Sequence, residues 1–404
     1  MARAGSGFAT GPDLTRAAEE AAREALVGLG GAGADLVVVF ASGPDPDLAG
    51  AALARAAEAV GAPMSIGCTA AGVFASGRSV EQGPGVAVWA AELPGVRLRS
   101  YHLETLRTGE SLAVLGMPVL DDSDSVGLLL ADPYSFPIDG FVERSTVSLR
   151  GLPLVGGLAS GGERAGDTRL LLDGRIVARG AVGVVLGGRA GGGPLAGVRA
   201  LVSQGCRPVG PPMTVTAAEG NQILGLAGRP ALAKLRTVID GLEPEDQALA
   251  SGGGLHVGLA MDEYTDTHSM GDFLVRGIIG VDQETQSIAV GDVVAVGRTV
   301  QFQVRDADVA DADLASLLWD FRRRGGVDPL AGALVFSGDG RGPQFFSDPG
   351  HDARVVREQL GVEGVAGFYG AGEIGPVGGR NHLHGWTASV LVVGEPAVVP
   401  ASGA

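Results

Sequence analysis

The sequence is nearly without cysteine. Cys68 and Cys206 are the only two in 404 residues, and two distant thiols build no disulfide framework. Positive charge is also scarce: 30 Lys and Arg against 46 Asp and Glu leave a formal net charge of −16. Such a surface repels nucleic acid and anionic lipid. The one basic cluster, Arg322 to Arg324, follows Leu314, Leu317, Leu318 and Phe321 at helical spacing, so it reads as the cationic end of an amphipathic helix. No apolar run approaches the ~18 residues of a membrane helix, and residues 1–11 lack the apolar stretch of a signal peptide. These absences predict a cytoplasmic protein with no membrane insertion and no nucleic-acid partner. Nothing in the sequence calls for a cofactor or a metal.

Glycine is present in excess: 68 residues, against an average usage near ~7%. The glycines stand singly or in pairs between apolar runs of strand length. That placement reads as turns and close backbone approaches in an ordered core, not as a linker. The length favours two packed domains.

One pattern of strand, helix, strand, glycine turn and strand is written three times. The first copy follows an Ala-rich amphipathic helix (Leu14, Ala17, Ala18, Ala21, Ala25, Leu29). It reads as a strand at 36–40, a helix at 47–60 stopped by Gly61, a strand at 63–66, a turn at 67–72 and a closing strand at 85–91. The second reads as a strand at 126–131, a helix at 141–149, Leu154 and Val155 leading into a glycine turn at 156–162, a hairpin at Asp173-Gly174 and a strand at 181–186. The third reads as a strand at 333–336, a turn at 337–342, a helix at 352–360 stopped by Gly361, a strand at 365–369, a turn at 370–375 and a strand at 386–393. Between the last two, 204–228 reads as a crossing rich in Gly and Pro, and 273–304 alternates as an antiparallel meander does. The expected fold class is α/β, with two domains of mixed sheets built from the repeated units plus the meander.

At these turns the sequence resembles the FIST family. Ile66-Gly67-Cys68-Thr69-Ala70-Ala71-Gly72, Val155-Gly156-Gly157-Leu158-Ala159-Ser160 and Gly180-Ala181-Val182-Gly183 are similar to the FIST N domain, and Gln204-Gly205-Cys206-Arg207-Pro208-Val209-Gly210 with Glu219-Gly220-Asn221 to its end. Phe273-Leu274-Val275-Arg276, Val304-Arg305-Asp306, Gly367-Phe368-Tyr369, Gly372-Glu373-Ile374-Gly375-Pro376 and Leu383-His384-Gly385 resemble the FIST C domain. The resemblance places an N-like domain at 30–228 and a C-like domain at 229–395. It implies a bacterial-type sensory module for small ligands such as amino acids, acting in signal transduction. It takes up almost the whole chain, so the output would lie with a separate signalling partner. The family often reads Phe-Ser-Cys ahead of its Arg-Gly. Here Phe336-Ser337-Gly338 precedes Arg341-Gly342, so no thiol role is expected at that position.

Strand ends in open α/β sheets offer backbone N–H groups to ligands. The candidate ligand-binding residues are therefore Gly67, Cys68, Thr69 and Gly72 in the first turn, Gly156 and Gly157 in the second, and Arg341, Gly342, Gly372, Glu373 and His384 in the third copy. The run 67–72 is no dinucleotide fingerprint. Glu373 would receive a ligand amino group and Arg341 a ligand carboxylate, unless the two bind each other. His382 and His384 share a strand face, an arrangement that favours packing or support of neighbouring groups over holding a metal. Cys68 and Cys206 have no spaced His or Asp partner and read as small buried thiols. The expected function is the sensing of a small polar, amino-acid-like metabolite, bound between the two halves. The alternatives are an enzyme acting on a small amine or carboxylate through Cys68 or the Glu373/His384 group, and a non-catalytic adaptor.

Overall fold

The chain begins with a strand that its composition hides. Strand β1 (Arg3–Thr10) carries glycines where helix α1 (Leu14–Gly28) packs on it. A Cβ on Gly5 or Gly7 would stand 2.1 or 2.0 Å from the carbonyl oxygens of Ala25 and Ala21, so the glycines permit a close helix–strand approach. The computed structural model describes residues 1–109, 111–189, 192–264, 268, 270–324 and 329–395.

The first copy continues as β2 (Leu36–Ser42), α2 (Pro46–Val60), β3 (Met64–Ala70), β4 (Gly72–Ala75), β5 (Arg78–Val80) and β6 (Gly85–Glu92). Helix α2 starts on the Asp45 side chain, which accepts from the Asp47 and Leu48 N–H groups, and stops at Gly61 with φ 71°. The second copy comprises β7 (Arg97–Thr108), β8 (Ser111–Leu115), β9 (Asp124–Ala131), α3 (Ile138–Ser148), β10 (Leu154–Leu158), β11 (Leu170–Leu172), β12 (Arg175–Val177) and β13 (Ala181–Gly187). Strand β14 (Val198–Ser203) follows.

The chain divides into two compact units, Met1–Val202 with Leu314–Ala404, and Ser203–Asp313. The second unit is built from β15 (Cys206–Glu219), β16 (Gln222–Leu226), β17 (Arg229–Pro230), α4 (Ala231–Asp240), α5 (Pro244–Leu249), β18 (Leu255–Ala260), β19 (Phe273–Asp282), β20 (Ser287–Val290) and β21 (Thr299–Arg305). Its strands run in the order β15-β21-β18-β19-β20-β16-β17, and β15 also pairs with β16, which closes a six-stranded barrel. Two expectations need correction here. The stretch 204–228 is no crossing loop but the first two barrel strands. Pro211 and Pro212 are tolerated because the β15–β21 register breaks between Val209 and Met213, and a bulge needs no ladder donor there. Nor is 273–304 a simple meander: β19 pairs with β20, but β21 pairs with β18 and β15. Barrel closure requires those partners. The sequence division at 228 falls inside this unit, between β16 and β17.

Helix α6 (Ala307–Arg323) leads into the third copy: β22 (Leu330–Gly338), α7 (Pro343–Phe346), α8 (His351–Leu360), β23 (Gly364–Gly370), β24 (Glu373–Val377), β25 (Arg380–His384) and β26 (Ala388–Gly394). The three copies form three sheets of one plan: β1-β6-β2-β3-β11-β12, β25-β24-β10-β9-β13-β7-β8 and β14-β26-β22-β23-β4-β5. In each, the closing strand lies beside the first strand and the first strand pairs in parallel with the second. The outermost hairpin comes from another copy. β11–β12 of the second copy adds to β3 of the first, β24–β25 of the third to β10 of the second, and β4–β5 of the first to β23 of the third. The exchange is cyclic and ties the ends of the chain into one unit.

Each sheet is buried on both faces, which is why the strands read as continuous apolar runs. One face of each contributes to a shared central core that includes Phe40, Ile66, Leu128, Val155, Phe336 and Phe368. The other faces pack separately against α1 and α2, against α3, and against α6 and α8. Ser160 stitches the copies together: its hydroxyl accepts from Ala71 N at 2.9 Å and donates to the Tyr369 carbonyl.

The expected glycine turns are shorter than the sequence suggested. Gly67, Gly156 and Gly367 lie inside second strands, opposite Val39, Leu129 and Val335. A Cβ on each would stand 2.1, 1.9 and 1.8 Å from the carbonyl oxygen of that partner. These glycines therefore bring two parallel strands together, and the turn begins only three or more residues later. In the third copy β22 likewise extends through Gly338, and only Asp339–Arg341 form a turn of 3-10 helix.

Candidate functional site

The third copy aligns on the first at constant spacing: Gly61 falls on Gly361, Gly67 on Gly367 and Gly72 on Gly372. On this alignment Ala52 becomes Asp352, Val73 becomes Glu373 and Thr69 becomes Tyr369. Strand register makes the matching change from Ala41 to Ser337. The second copy places Leu170 opposite Cys68 of the first, the position equivalent to Glu373 opposite Gly157. The backbone plan is thus shared, and the carboxyls of Asp352 and Glu373 replace apolar side chains at one end of the third copy.

These groups form two joined clusters. On the helix side, Arg341 is 1% exposed. It makes a two-pronged ion pair with Asp352: Nε donates to Oδ2 at 2.8 Å and Nη2 to Oδ1 at 2.9 Å. Ser337 Oγ donates to Asp352 Oδ2 at 2.6 Å, and His351 Nδ1 lies 3.1 Å from Oδ1. Burial alone would raise the Asp352 carboxyl, but the Arg341 charge and the hydrogen bonds hold it well below the usual carboxylate range. Arg341 also lies over the Phe346 ring, at 5.1 Å from its centroid, and that ring stacks on His351 at 3.6 Å.

On the core side, Glu373 is also 1% exposed. Its Oε2 accepts from Thr387 N at 2.8 Å and Thr387 Oγ1 at 2.7 Å. A Cβ on Gly338 would lie 2.8 Å from its Oε1, so Glu373 abuts the start of the Gly338–Gly342 loop. Burial pushes its carboxyl up to about 8, against the opposing pull of the Thr387 hydrogen bonds and the Arg341 charge. The loop is bordered by two non-glycine residues in the left-handed region, Trp386 at φ 60° and Ser347 at φ 59°. Such strain collects at binding sites.

A FIST N domain model matches residues 35–229, and a FIST C domain model matches 231–376. The chain belongs to the FIST family. Among its relatives is an uncharacterised protein of Mycobacterium tuberculosis strain H37Rv, 42% identical over 393 residues, which cover 96% of this chain and 99% of the relative. An uncharacterised protein of Mycobacterium bovis is 41% identical over 392 residues, 96% and 98% of the two chains. Among solved structures, a cyanuric acid hydrolase from A. caulinodans covers 97% of this chain and 99% of its own at 9% identity, with a TM-score of 0.32. That score carries no argument about fold or chemistry.

The candidate residues of this FIST chain do not all meet. Arg341, Gly342 and Glu373 flank one loop, and Gly372 precedes Glu373. Gly72 lies opposite Tyr369 in the β4–β23 pair. Gly157 faces Glu373 across the β10–β24 pair, while Gly67 and Gly156 serve strand packing as described. Cys68 lies in the central core, where burial raises its thiol far above neutrality. Cys206 is buried in the second unit. Thr69 is bonded to Arg169, whose N–H donates to its hydroxyl at 3.0 Å. His384 stands opposite Glu373 in the β24–β25 register, its Nε2 3.1 Å from the Gly375 carbonyl, and its ring is 5.9 Å from that of His382. Among the described residues no group of three or more His, Cys, Asp or Glu is placed to hold a metal ion, and no helix is long and apolar enough to cross a membrane.

Sequence reading missed Asp352, Ser337 and Thr387. The first two had a signal: aligning the copies sets them against Ala52 and Ala41. Thr387 had none, because a threonine beside a strand looks ordinary until the chain folds.

Proposed function

We propose that this FIST protein senses a small polar, amino-acid-like metabolite through its third copy and passes that occupancy to a separate signalling partner. The observation that supports this reading is Glu373, an ionisable side chain in the shared core where the other copies place Val73 and Leu170. Perturbed buried carboxyls of this kind are more common at binding sites than in inert cores. The residues around it all belong to the first unit. Glu373 and the loop it abuts form one wall of the ligand site. Arg341 has its fork filled by Asp352, so it acts as a fixed positive wall and not as a free clamp for a carboxylate. Catalysis through Cys68 gains no support from a thiol whose reactive anion is suppressed by burial. The test is a thermal-shift screen of amino acids and related amines on the wild type and on Glu373→Gln. A saturable rise in Tm without turnover, lost in Glu373→Gln, is expected. Consumption of the ligand, or an equal shift in the variant, would overturn the reading.

A further inference from the structure

The wall facing the Gly338–Gly342 loop from the first copy holds two buried oxygens that no hydrogen bond satisfies among the described residues: Glu81 Oε1 and Ser79 Oγ. Ser79 lies in β5 and Glu81 in the bend that follows it. Both look at glycines of the third copy. A Cβ on Gly342 would stand 2.1 Å from Glu81 Oε2, and one on Gly350 would stand 3.4 Å from Ser79 Oγ. A Cβ on Gly72 would meet the Glu81 Cα at 2.6 Å and the Tyr369 ring at 3.0 Å, which brings the tyrosine into the same junction. The Tyr369 hydroxyl accepts the Gly350 N–H at 3.2 Å and is itself hydrogen-bonded to the Glu81 carboxyl. Burial raises the Glu81 carboxyl, and the neighbouring Tyr369 hydroxyl opposes that rise.

A buried polar atom left unmatched is costly and calls for an occupant. Here the unmatched atoms are a carboxylate oxygen and a hydroxyl oxygen, with a phenolic oxygen beside them. Arg341, which precedes Gly342, is already committed to Asp352, and Arg354 is committed to Asp348. The complement of such a set is a compact group with several N–H donors and a positive charge.

We infer that Glu81 and Ser79, facing Gly342 and Gly350 across the junction of the first and third copies, receive a primary ammonium group. This rests on the reading that the third-copy loops bind a small ligand, and it names the chemical group recognised and two residues that recognise it.

The test uses the full chain and methylammonium chloride as the probe, followed by thermal shift and titration calorimetry. Tetramethylammonium chloride, which has no N–H donor, and potassium chloride serve as matched controls. Saturable binding of methylammonium alone is expected, weakened at least about tenfold by Glu81→Gln and also weakened by Ser79→Ala. The glutamine variant keeps the side-chain shape, and the alanine variant checks the same site without touching the charge. No response to methylammonium, an equal response to potassium, or unchanged binding in both variants overturns the inference. Loss of binding in Glu373→Gln with full binding in Glu81→Gln also overturns it, while leaving the proposed ligand site intact. The reverse pattern upholds the ammonium site and removes Glu373 from ligand recognition.

Discussion

Replacing Glu373 by glutamine should make the protein more stable at alkaline pH and change it little in acid. Burial lifts this carboxyl from an ordinary 4.5 to about 8 in the folded chain. The folded state therefore keeps a proton that the unfolded chain releases. The group's contribution to stability is complete below about pH 4.5 and is lost as pH rises through about 8. Each pKa unit corresponds to about 1.4 kcal/mol, so full ionisation of a buried Glu373 costs the folded state up to about 5 kcal/mol. Glutamine escapes that cost because it has no charge to bury. Its carbonyl oxygen can accept the two hydrogen bonds that Thr387 now gives Oε2. Urea unfolding of both proteins near pH 5, 7 and 9 supplies the measurement. The variant's advantage should be small at the first value, intermediate at the second and largest at the third. The difference between the two proteins isolates this one group, since every other titrating residue is common to both. Parallel pH profiles would refute the assignment of Glu373 as a buried, proton-holding carboxyl.

Two further substitutions test the frame and the ion pair. Gly367→Ala puts a Cβ 1.8 Å from the Val335 carbonyl oxygen, and chemical denaturation should show a loss of about 3 kcal/mol or more. Gly252→Ala, with no atom within 4 Å of the added Cβ, should stay within about 0.5 kcal/mol. Arg341→Ala leaves the Asp352 carboxylate buried without its partner and should cost about 3–5 kcal/mol. Adding Asp352→Asn to that variant should recover part of the loss in thermal unfolding, and no recovery would mean that the ion pair is not what Arg341 supplies.

The triplicated plan was legible because it is carried by local signals. Apolar runs of strand length, helices ended by Gly61 and Gly361, and the Asp173-Gly174 hairpin each announce themselves within a few residues. The exchange of hairpins between copies was not legible. Leu170, Val73 and Glu373 pair with strands of other copies, and no local pattern encodes a partner so distant in sequence. Glycine misled in a consistent way. Gly67 and Gly156 read as turn residues, yet each is a place where another backbone approaches too closely for a side chain. Pro211 and Pro212 of β15 misled likewise, since a bulge can hold them. At the candidate site, Arg341 and Glu373 stood out as charges among glycines. Their bonding partners Asp352 and Thr387 did not, because ordinary polar residues near helix and strand ends are common.

The first copy shows what the third would need if its polar cluster served only the fold. With Ala41, Ala52 and Val73 it builds the same strand, helix and exchanged hairpin that the third copy builds around Ser337, Asp352 and Glu373. A buried ion pair seldom stabilises more than well-packed apolar side chains in its place, and a buried carboxyl at about 8 opposes folding at neutral pH. Fold stability therefore supplies no reason for these substitutions, and the apolar version is present in the same chain as a control. Their common location, at the strand ends around one loop bordered by two left-handed non-glycine residues, supports a role in recognition. The contrast also separates two kinds of residue. The glycines repeated in all three copies belong to the architecture, and Asp352 and Glu373 of the third are side chains that this architecture does not require.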